Sequence, residues 1–227
     1  MSEHVGPALP PALREAIAAD LRPVTPLARP WRRALPVVPI AVALLIGSAA
    51  AFGLRVDASA LGAGLTWGAS GLQMMIGLAL VAAALREAVP GTTLTRRALG
   101  VAAATGAVAV LTITWLTWLW SPVPAQPIFG GIVWRICVAG TVLSALPALA
   151  LSGWLVARAF PLRPPTAGAL YGLGAGLLSD AGWRLFCHFP GPAHVVGAHA
   201  LGIVIVTALG MTLASALAKA TARPGRG

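Results

Sequence analysis

The amino-acid sequence predicts an all-α fold: a polytopic membrane protein built as a six-transmembrane-helix bundle, with both termini in the cytoplasm. Hydrophobic residues make up 58% of the 227 residues, and charged residues make up only 10%. A soluble domain is about 25% charged, so most of the surface of this chain must face lipid rather than water. Arginine and lysine are also placed unevenly between the apolar stretches, and this asymmetry predicts the orientation.

Residues 1–33 are predicted to be a cytoplasmic N-terminal segment. They are rich in proline and arginine and lack the apolar core of a cleavable signal peptide, so the first apolar stretch should remain in the protein. Leu13, Ile17 and Leu21 recur at four-residue steps after two prolines, which predicts a short amphipathic helix. Three interpretations of this stripe remain open: it lies on the membrane, it binds a cytoplasmic partner, or it merely precedes the first span.

Residues 34–218 are predicted to form the six-helix transmembrane domain. Crossing a hydrocarbon core of about 30 Å takes roughly 20 apolar residues in a helix. The stretches that meet this length are residues 34–54, 65–85, 98–118, 132–156, 167–186 and 195–216. In the fifth stretch, Gly168, Gly172 and Gly176 recur every four residues and predict a seam where a neighbouring helix packs closely. Residues 219–227 follow as a basic cytoplasmic tail.

The distribution of positive charge predicts the orientation of the bundle in the membrane. Thirteen of the 16 basic residues fall on one side of the predicted spans: Arg14, Arg22, Arg29, Arg32, Arg33, Arg86, Arg96, Arg97, Arg158, Arg163, Lys219, Arg223 and Arg226. Only Arg55, Arg135 and Arg184 fall on the other. The richer side is assigned to the cytoplasm, which makes the chain a multi-pass protein of a bacterial inner membrane with the lipid bilayer around it. The basic residues form no continuous face, so no direct nucleic-acid binding is expected.

Two cysteines are predicted to lie at the outer face. Cys137 is near the outer end of the fourth span and Cys187 near the outer end of the fifth, on the oxidising side of the membrane. One interpretation is a switch, because a thiol pair can form a disulfide or bind a thiophilic metal ion. The alternatives are a permanent disulfide that staples two helices and a pair of inert thiols, and the residues alone favour these alternatives.

Three histidines are predicted near the two cysteines. His188 follows Cys187 directly, His194 is in the loop, and His199 is early in the sixth span, so the five residues are candidate ligands for a thiophilic metal ion. Their spacing matches no recognised metal motif, because residues five apart on an α-helix differ by about 140°. On this evidence, histidines that hydrogen-bond loop carbonyl groups are the favoured interpretation. No resident cofactor is expected.

Asp180 and Arg184 are the charged pair predicted inside the fifth span. They are four residues apart and should meet on one helix face as an intramembrane ion pair. A structural role is favoured over proton relay or ligand contact. Sequence signatures of enzymes are absent and only six acidic residues are present, so the chain is not expected to be an enzyme.

Several short segments, in this order and spacing, resemble a known family. They are DLRPVTPL at residues 20–27, GLRVD at 53–57, AVPG at 88–91, PTAGAL at 165–170 and CHFPGPAH at 187–194, together with Cys137, His199 and Gly210. The chain thereby resembles the NrsF-like family, the "negative regulator of sigma F" group of six-span anti-sigma factors of the bacterial inner membrane. His188 departs from the pattern, since many members have proline after the cysteine.

The resemblance implies a regulator that holds an extracytoplasmic-function sigma factor at the membrane and releases it under metal or oxidative stress. It also implies that Cys137 and Cys187 are the sensing pair, and that Leu13, Ile17 and Leu21 contribute to binding the cytoplasmic sigma factor. The competing hypotheses are a small inner-membrane transporter or metal-efflux component and a membrane scaffold with a structural disulfide. Against transport, the two halves show no clear internal repeat.

Overall fold

The structure is a computed structural model that describes residues 10–21, 27–124 and 131–221. In these residues the chain is helical and contains no strand. The helices are α1 (Pro11–Asp20), α2 (Pro30–Phe52), α3 (Ala58–Glu87), α4 (Arg96–Trp120), α5 (Ile132–Ala157), α6 (Pro164–Phe186) and α7 (Pro192–Ala220). Parts of the predicted terminal segments lie outside the described residues, and these parts include Arg22, Arg223 and Arg226 of the charge asymmetry.

Each predicted apolar stretch is helical, which confirms the all-α prediction. Five helices, α2, α3, α4, α5 and α7, are long and apolar enough to cross a membrane. α6 is not among them, although it is 23 residues long. Its sequence is less apolar because it carries Ser179, Asp180 and Arg184, and all three are buried inside the bundle.

Local chemistry explains where the helices begin and end. Proline occupies the first turn of α1, α2, α6 and α7, where its missing N–H group costs no hydrogen bond. The side chain of Thr95 caps α4 by accepting a hydrogen bond from the backbone N–H of Ala98 at 3.1 Å. α2 ends where Gly53 has a φ of 79°, which is a conformation that glycine adopts without strain.

α6 lies at the centre of the bundle and packs against α2, α3, α5 and α7. The predicted glycine seam is confirmed on the side that faces α7. A Cβ atom at Gly168 would overlap the carbonyl group of Gly210, and one at Gly172 would lie 2.8 Å from Cα of Thr207. The two helices therefore touch backbone to backbone, as small residues in membrane helices allow.

A second close approach joins α6 to α3. A Cβ atom at Gly174 would lie 2.7 Å from the carbonyl oxygen of Gly77, and a Cβ at Gly77 would lie 2.9 Å from that of Gly174. α6 thus contacts helices on two sides through its backbone. These close approaches help to explain why most residues of α6 are buried.

Arginine side chains tie the helices together at one end of the bundle, the Glu87 end. Nε of Arg163 donates to Oε1 of Glu87 at 2.7 Å. The guanidinium of Arg33 donates to the carbonyl oxygens of Leu85 and Leu155 at 3.2 and 3.3 Å. These contacts join α2, α3, α5 and the start of α6.

The loop of residues 53–57 closes the opposite end, the Cys187 end. The backbone N–H of Arg55 donates to the carbonyl oxygen of Leu185 at 2.8 Å, and its guanidinium donates to Oδ2 of Asp57 at 2.9 Å. The hydroxyl of Ser121 donates to the same carboxylate. Burial raises the pKa of Asp57, but the hydrogen bonds from Arg55 and Ser121 outweigh this effect and leave the pKa below its ordinary value. The ionised carboxylate therefore ties the loop to the end of α4 at neutral pH, while the backbone of Arg55 holds the end of α6.

Candidate functional site

Four side chains converge inside the Cys187 end: Cys137 from α5, Cys187 just after α6, and His194 and His199 from the start of α7. We call them the Cys–His cluster. One ligand atom from each, sulfur or ring nitrogen, lies within 4.8 Å of all the others. Both thiols are free. The cysteines are 5% and 6% exposed, and the histidines are 0% and 1% exposed, so the cluster is shielded from solvent.

His188, the fifth candidate ligand, lies outside the cluster. It is half-buried, and its ring meets the ring of Phe186 edge-on at 6.3 Å between centroids. The side chain of Cys187 is buried in the cluster, whereas that of its neighbour His188 is directed elsewhere. Adjacency in sequence to Cys187 therefore did not place this histidine in the Cys–His cluster.

The first turns of α7 explain how two histidines five residues apart reach one cluster. Val195–Ala200 form a π-helical turn, in which hydrogen bonds run from residue i to i+5. This pattern brings residues five apart to the same side, whereas an α-helix would separate them by about 140°. The rings of His194 and His199 accordingly lie 5.5 Å apart, and Nε2 of His194 is 3.6 Å from Sγ of Cys187.

Asp180 orients His199 from the interior of the bundle. Its Oδ1 accepts a hydrogen bond from Nδ1 of His199 at 2.6 Å, and its Oδ2 accepts one from Nε2 of Gln73 at 2.7 Å. Gln73 also donates to the carbonyl oxygen of Leu177 at 3.2 Å. With Nδ1 occupied, Nε2 is the nitrogen of His199 left for a ligand, and it has no hydrogen-bond partner in the described residues. Metal-binding histidines commonly have such a carboxylate partner.

The predicted direct ion pair between Asp180 and Arg184 is not formed in the described part of the chain. Asp180 pairs with His199 instead. The guanidinium of Arg184 donates to the hydroxyl of Thr117 at 3.0 Å and approaches that of Thr114 at 3.5 Å, both on α4. Residues four apart share a helix face, but contacts with α4 and α7 direct the two side chains to different partners.

Gln73 is the residue of this network that the sequence interpretation missed. It is 0% exposed and connects α3 to both Asp180 and the backbone of α6. An amide in an otherwise apolar span costs free energy unless it is hydrogen-bonded, and that cost was the signal that could have identified it.

The apolar stripe of the N-terminal segment lies on an exposed helix. The stretch predicted to be an amphipathic helix is helical, as α1, and none of its residues is buried. Leu13 and Ile17 are 45% and 47% exposed, and Leu21, just beyond the helix, is 74% exposed. The structure thus leaves the three apolar side chains accessible to another surface.

The chemistry of the Cys–His cluster is that of soft and borderline ligands. Two neighbouring thiols can lose their protons and bind a thiophilic metal ion together with imidazole nitrogens. They can also be oxidised to a disulfide, which requires the two sulfur atoms to approach to about 2.05 Å. Either event would draw α5 towards the junction of α6 and α7.

Comparison with known proteins gives one family. No curated protein and no solved structure matches the chain significantly. The family model NrsF, described as "Negative regulator of sigma F", matches residues 17–219. The matched region contains α2 to α6, nearly all of α7 and the whole Cys–His cluster. The chain therefore belongs to the NrsF family, whose members are negative regulators of a sigma factor rather than enzymes.

Proposed function

We propose that this protein is a membrane-bound anti-sigma factor that sequesters an extracytoplasmic-function sigma factor. It releases that sigma factor when Cys137 and Cys187 bind a thiophilic metal ion or are oxidised to a disulfide by an oxidant. The match of residues 17–219 to a family of negative regulators carries the regulatory part of the proposal. The two free, buried thiols, which share a cluster no wider than 4.8 Å, support the sensing part.

The proposal includes six membrane spans with both termini in the cytoplasm of a bacterial cell. Five helices meet the requirements of length and hydropathy. α6, at 23 residues, is about 35 Å long and can also cross a hydrocarbon core of about 30 Å. Its polar side chains are buried among neighbouring helices, so its lower hydropathy does not oppose insertion. The positive-inside rule then places the Cys187 end outside.

A signal at the Cys–His cluster has a physical route to the other end of the bundle. The cluster joins α5 to the junction of α6 and α7, and α6 and α7 are in backbone contact from Gly168 onwards. Helices packed this closely shift as units rather than bend. Coupling between distant sites is typically about 1–3 kcal/mol, which is about 5–150-fold in affinity. Such a change is sufficient to release a partner bound at the Glu87 end.

Replacing both cysteines by serine tests the sensing part. In a strain with C137S/C187S, the sigma-dependent transcript should change less than about twofold on exposure to Cd²⁺ or a thiol oxidant, whereas the wild type should respond by about 5–150-fold. Serine neither forms a disulfide nor binds soft metal ions well, which is the physical reason.

The uninduced level of the transcript is the control in the same experiment. It should remain low with C137S/C187S, because serine is nearly isosteric with cysteine and the bundle should still fold and repress. Immunoblotting of the membrane fraction checks that the variant protein is present. Full induction in the double variant would eliminate these cysteines as the sensor.

The exposed stripe on α1 is proposed to contribute to binding of the sigma factor. Changing Leu13, Ile17 and Leu21 to asparagine should weaken the complex by about 2 kcal/mol or more, which is about thirtyfold in Kd. The uninduced transcript should rise accordingly, and the sigma factor should be lost from pull-downs with the full-length chain. A12Q/A19Q changes the opposite face of the same helix and should leave binding intact. Equal binding by the triple variant would exclude this stripe.

A further inference from the structure

We propose that the Cys–His cluster is a four-coordinate site for a thiophilic divalent cation of the Zn²⁺ and Cd²⁺ type. In this site His194 and His199 are ligands alongside the thiolates of Cys137 and Cys187, and His188 is not. The inference deepens the proposed sensing role and rests on it for its regulatory meaning. The ligand set itself rests on the geometry of the cluster.

Distances within the cluster are close to those of a tetrahedral site. Bonds of about 2.3 Å to sulfur and 2.0–2.1 Å to nitrogen place ligand atoms about 3.3–3.8 Å apart around a tetrahedral ion. The separation between Sγ of Cys187 and Nε2 of His194 is 3.6 Å, which is within that range. The widest separation is at most 4.8 Å, so the site must contract by only about 1 Å on binding.

The burial and charge of the ligands favour a divalent ion. Cation binding replaces the two thiol protons, so two thiolates and two neutral imidazoles hold an ion of charge +2 in a site with no net charge. A neutral assembly avoids the large free-energy cost of burying an isolated charge. A monovalent ion would leave one uncompensated negative charge among side chains that are 0–6% exposed. The negative charge of Asp180 is offset by the positive charge of Arg184, one turn later on α6, through their electrostatic attraction rather than a direct ion pair.

Contacts on the interior side of His199 orient its ring for metal binding. Asp180 accepts from Nδ1 of His199 at 2.6 Å and is itself held by Gln73 at 2.7 Å. The imidazole therefore has a fixed orientation, and Nε2 is buried without a hydrogen-bond partner in the described residues. A buried nitrogen atom such as Nε2 of His199 is costly unless something binds it. His194 offers its Nε2, which lies 3.6 Å from Sγ of Cys187.

X-ray absorption of the zinc-loaded, full-length protein in detergent tests the ligand set directly. The reduced wild type should bind one Zn²⁺, with two sulfur atoms at about 2.3 Å and two imidazole nitrogens at about 2.0–2.1 Å. H194A and H199A should each lower the Zn²⁺ affinity by at least about tenfold, and D180N by about 10–100-fold. H188A is the matched control and should bind as the wild type does.

If H199A fails to fold, H199C preserves the number of ligands and should change the spectrum to three sulfur atoms and one nitrogen. A metal shell without imidazole, or no stoichiometric Zn²⁺ binding by the wild type, would overturn the inference. Because these measurements need no sigma factor, they are separable from the proposed function. Suppose that the zinc site has its sulfur and nitrogen ligands while the sigma-dependent transcript in cells does not respond to metal. That result would contradict the proposed function but not the metal site.

Discussion

Gly168→Val should prevent α6 from packing against α7 and should cause a large loss of folded protein. A Cβ atom at Gly168 would overlap the carbonyl group of Gly210 and would lie 2.7 Å from Cα of Met211. These are backbone atoms, so no rotation of a side chain can relieve the overlap, and the two helices must separate. Overpacking of this kind costs about 3 kcal/mol. The seam at Gly172 and Gly176 would open with it, because the same two helices form all of these contacts.

Gly100→Val provides the matched control for this prediction. Gly100 lies on α4 with nothing within 4 Å of its Cβ position, so the same change in side chain meets open space. Size-exclusion chromatography of fluorescent fusions in detergent measures the monodisperse fraction for both variants. We expect that fraction to fall severely for the seam variant and to stay near the wild-type value for the control. Similar profiles for the two variants would show that α6 and α7 do not pack as closely as described.

Asp180→Ala is the second change with a large expected effect, a loss of about 3–5 kcal/mol in the free energy of unfolding. The carboxylate is 0% exposed and accepts hydrogen bonds from His199 and Gln73. Its removal breaks the buried pair with His199, leaves both donors unpaired in the interior, and takes away a negative charge that attracts the buried guanidinium of Arg184. Each of these consequences is unfavourable, and alanine compensates for none of them.

Asp20→Ala is the control for the removal of a carboxylate. Asp20 is exposed at the end of α1, so the same substitution there should change stability by less than about 0.5 kcal/mol. The midpoint of thermal unfolding in detergent, followed by circular dichroism, measures both variants against the wild type. Equal midpoints for the two variants would mean that Asp180 does not hold α3, α6 and α7 together. Asp180→Asn, which keeps one acceptor, should have an intermediate effect.

Composition and periodicity were sufficient to predict the helices and the glycine face of α6 that packs closely. Apolar stretches of about 20 residues predict helices because the backbone in lipid must satisfy its own hydrogen bonds. The spacing of Gly168, Gly172 and Gly176 predicted the seam because small residues four apart share one face of a helix. Which helix they meet could not be predicted, since small residues show that some helix approaches and α7 is identified only by the fold.

Side-chain partners inside the bundle were predicted less well. Asp180 was assigned to Arg184 because their spacing favours contact, yet His199 and Gln73 are the partners that the structure shows. Spacing along one helix describes neighbours on that helix only. The rotation of each helix about its axis depends on packing against the others, so a contact from another helix can replace a local one.

The sequence by itself determined that this chain is an all-α protein whose two cysteines and three histidines are concentrated in a few segments. It also placed the chain in its family, since order and spacing of short segments are properties of sequence. Only the tertiary structure decided that four of those five residues form one buried cluster. The physical reason is the π-helical turn Val195–Ala200, which aligns His194 with His199. An α-helix would have separated the two rings, and no pattern in the local sequence predicts the π-helical turn.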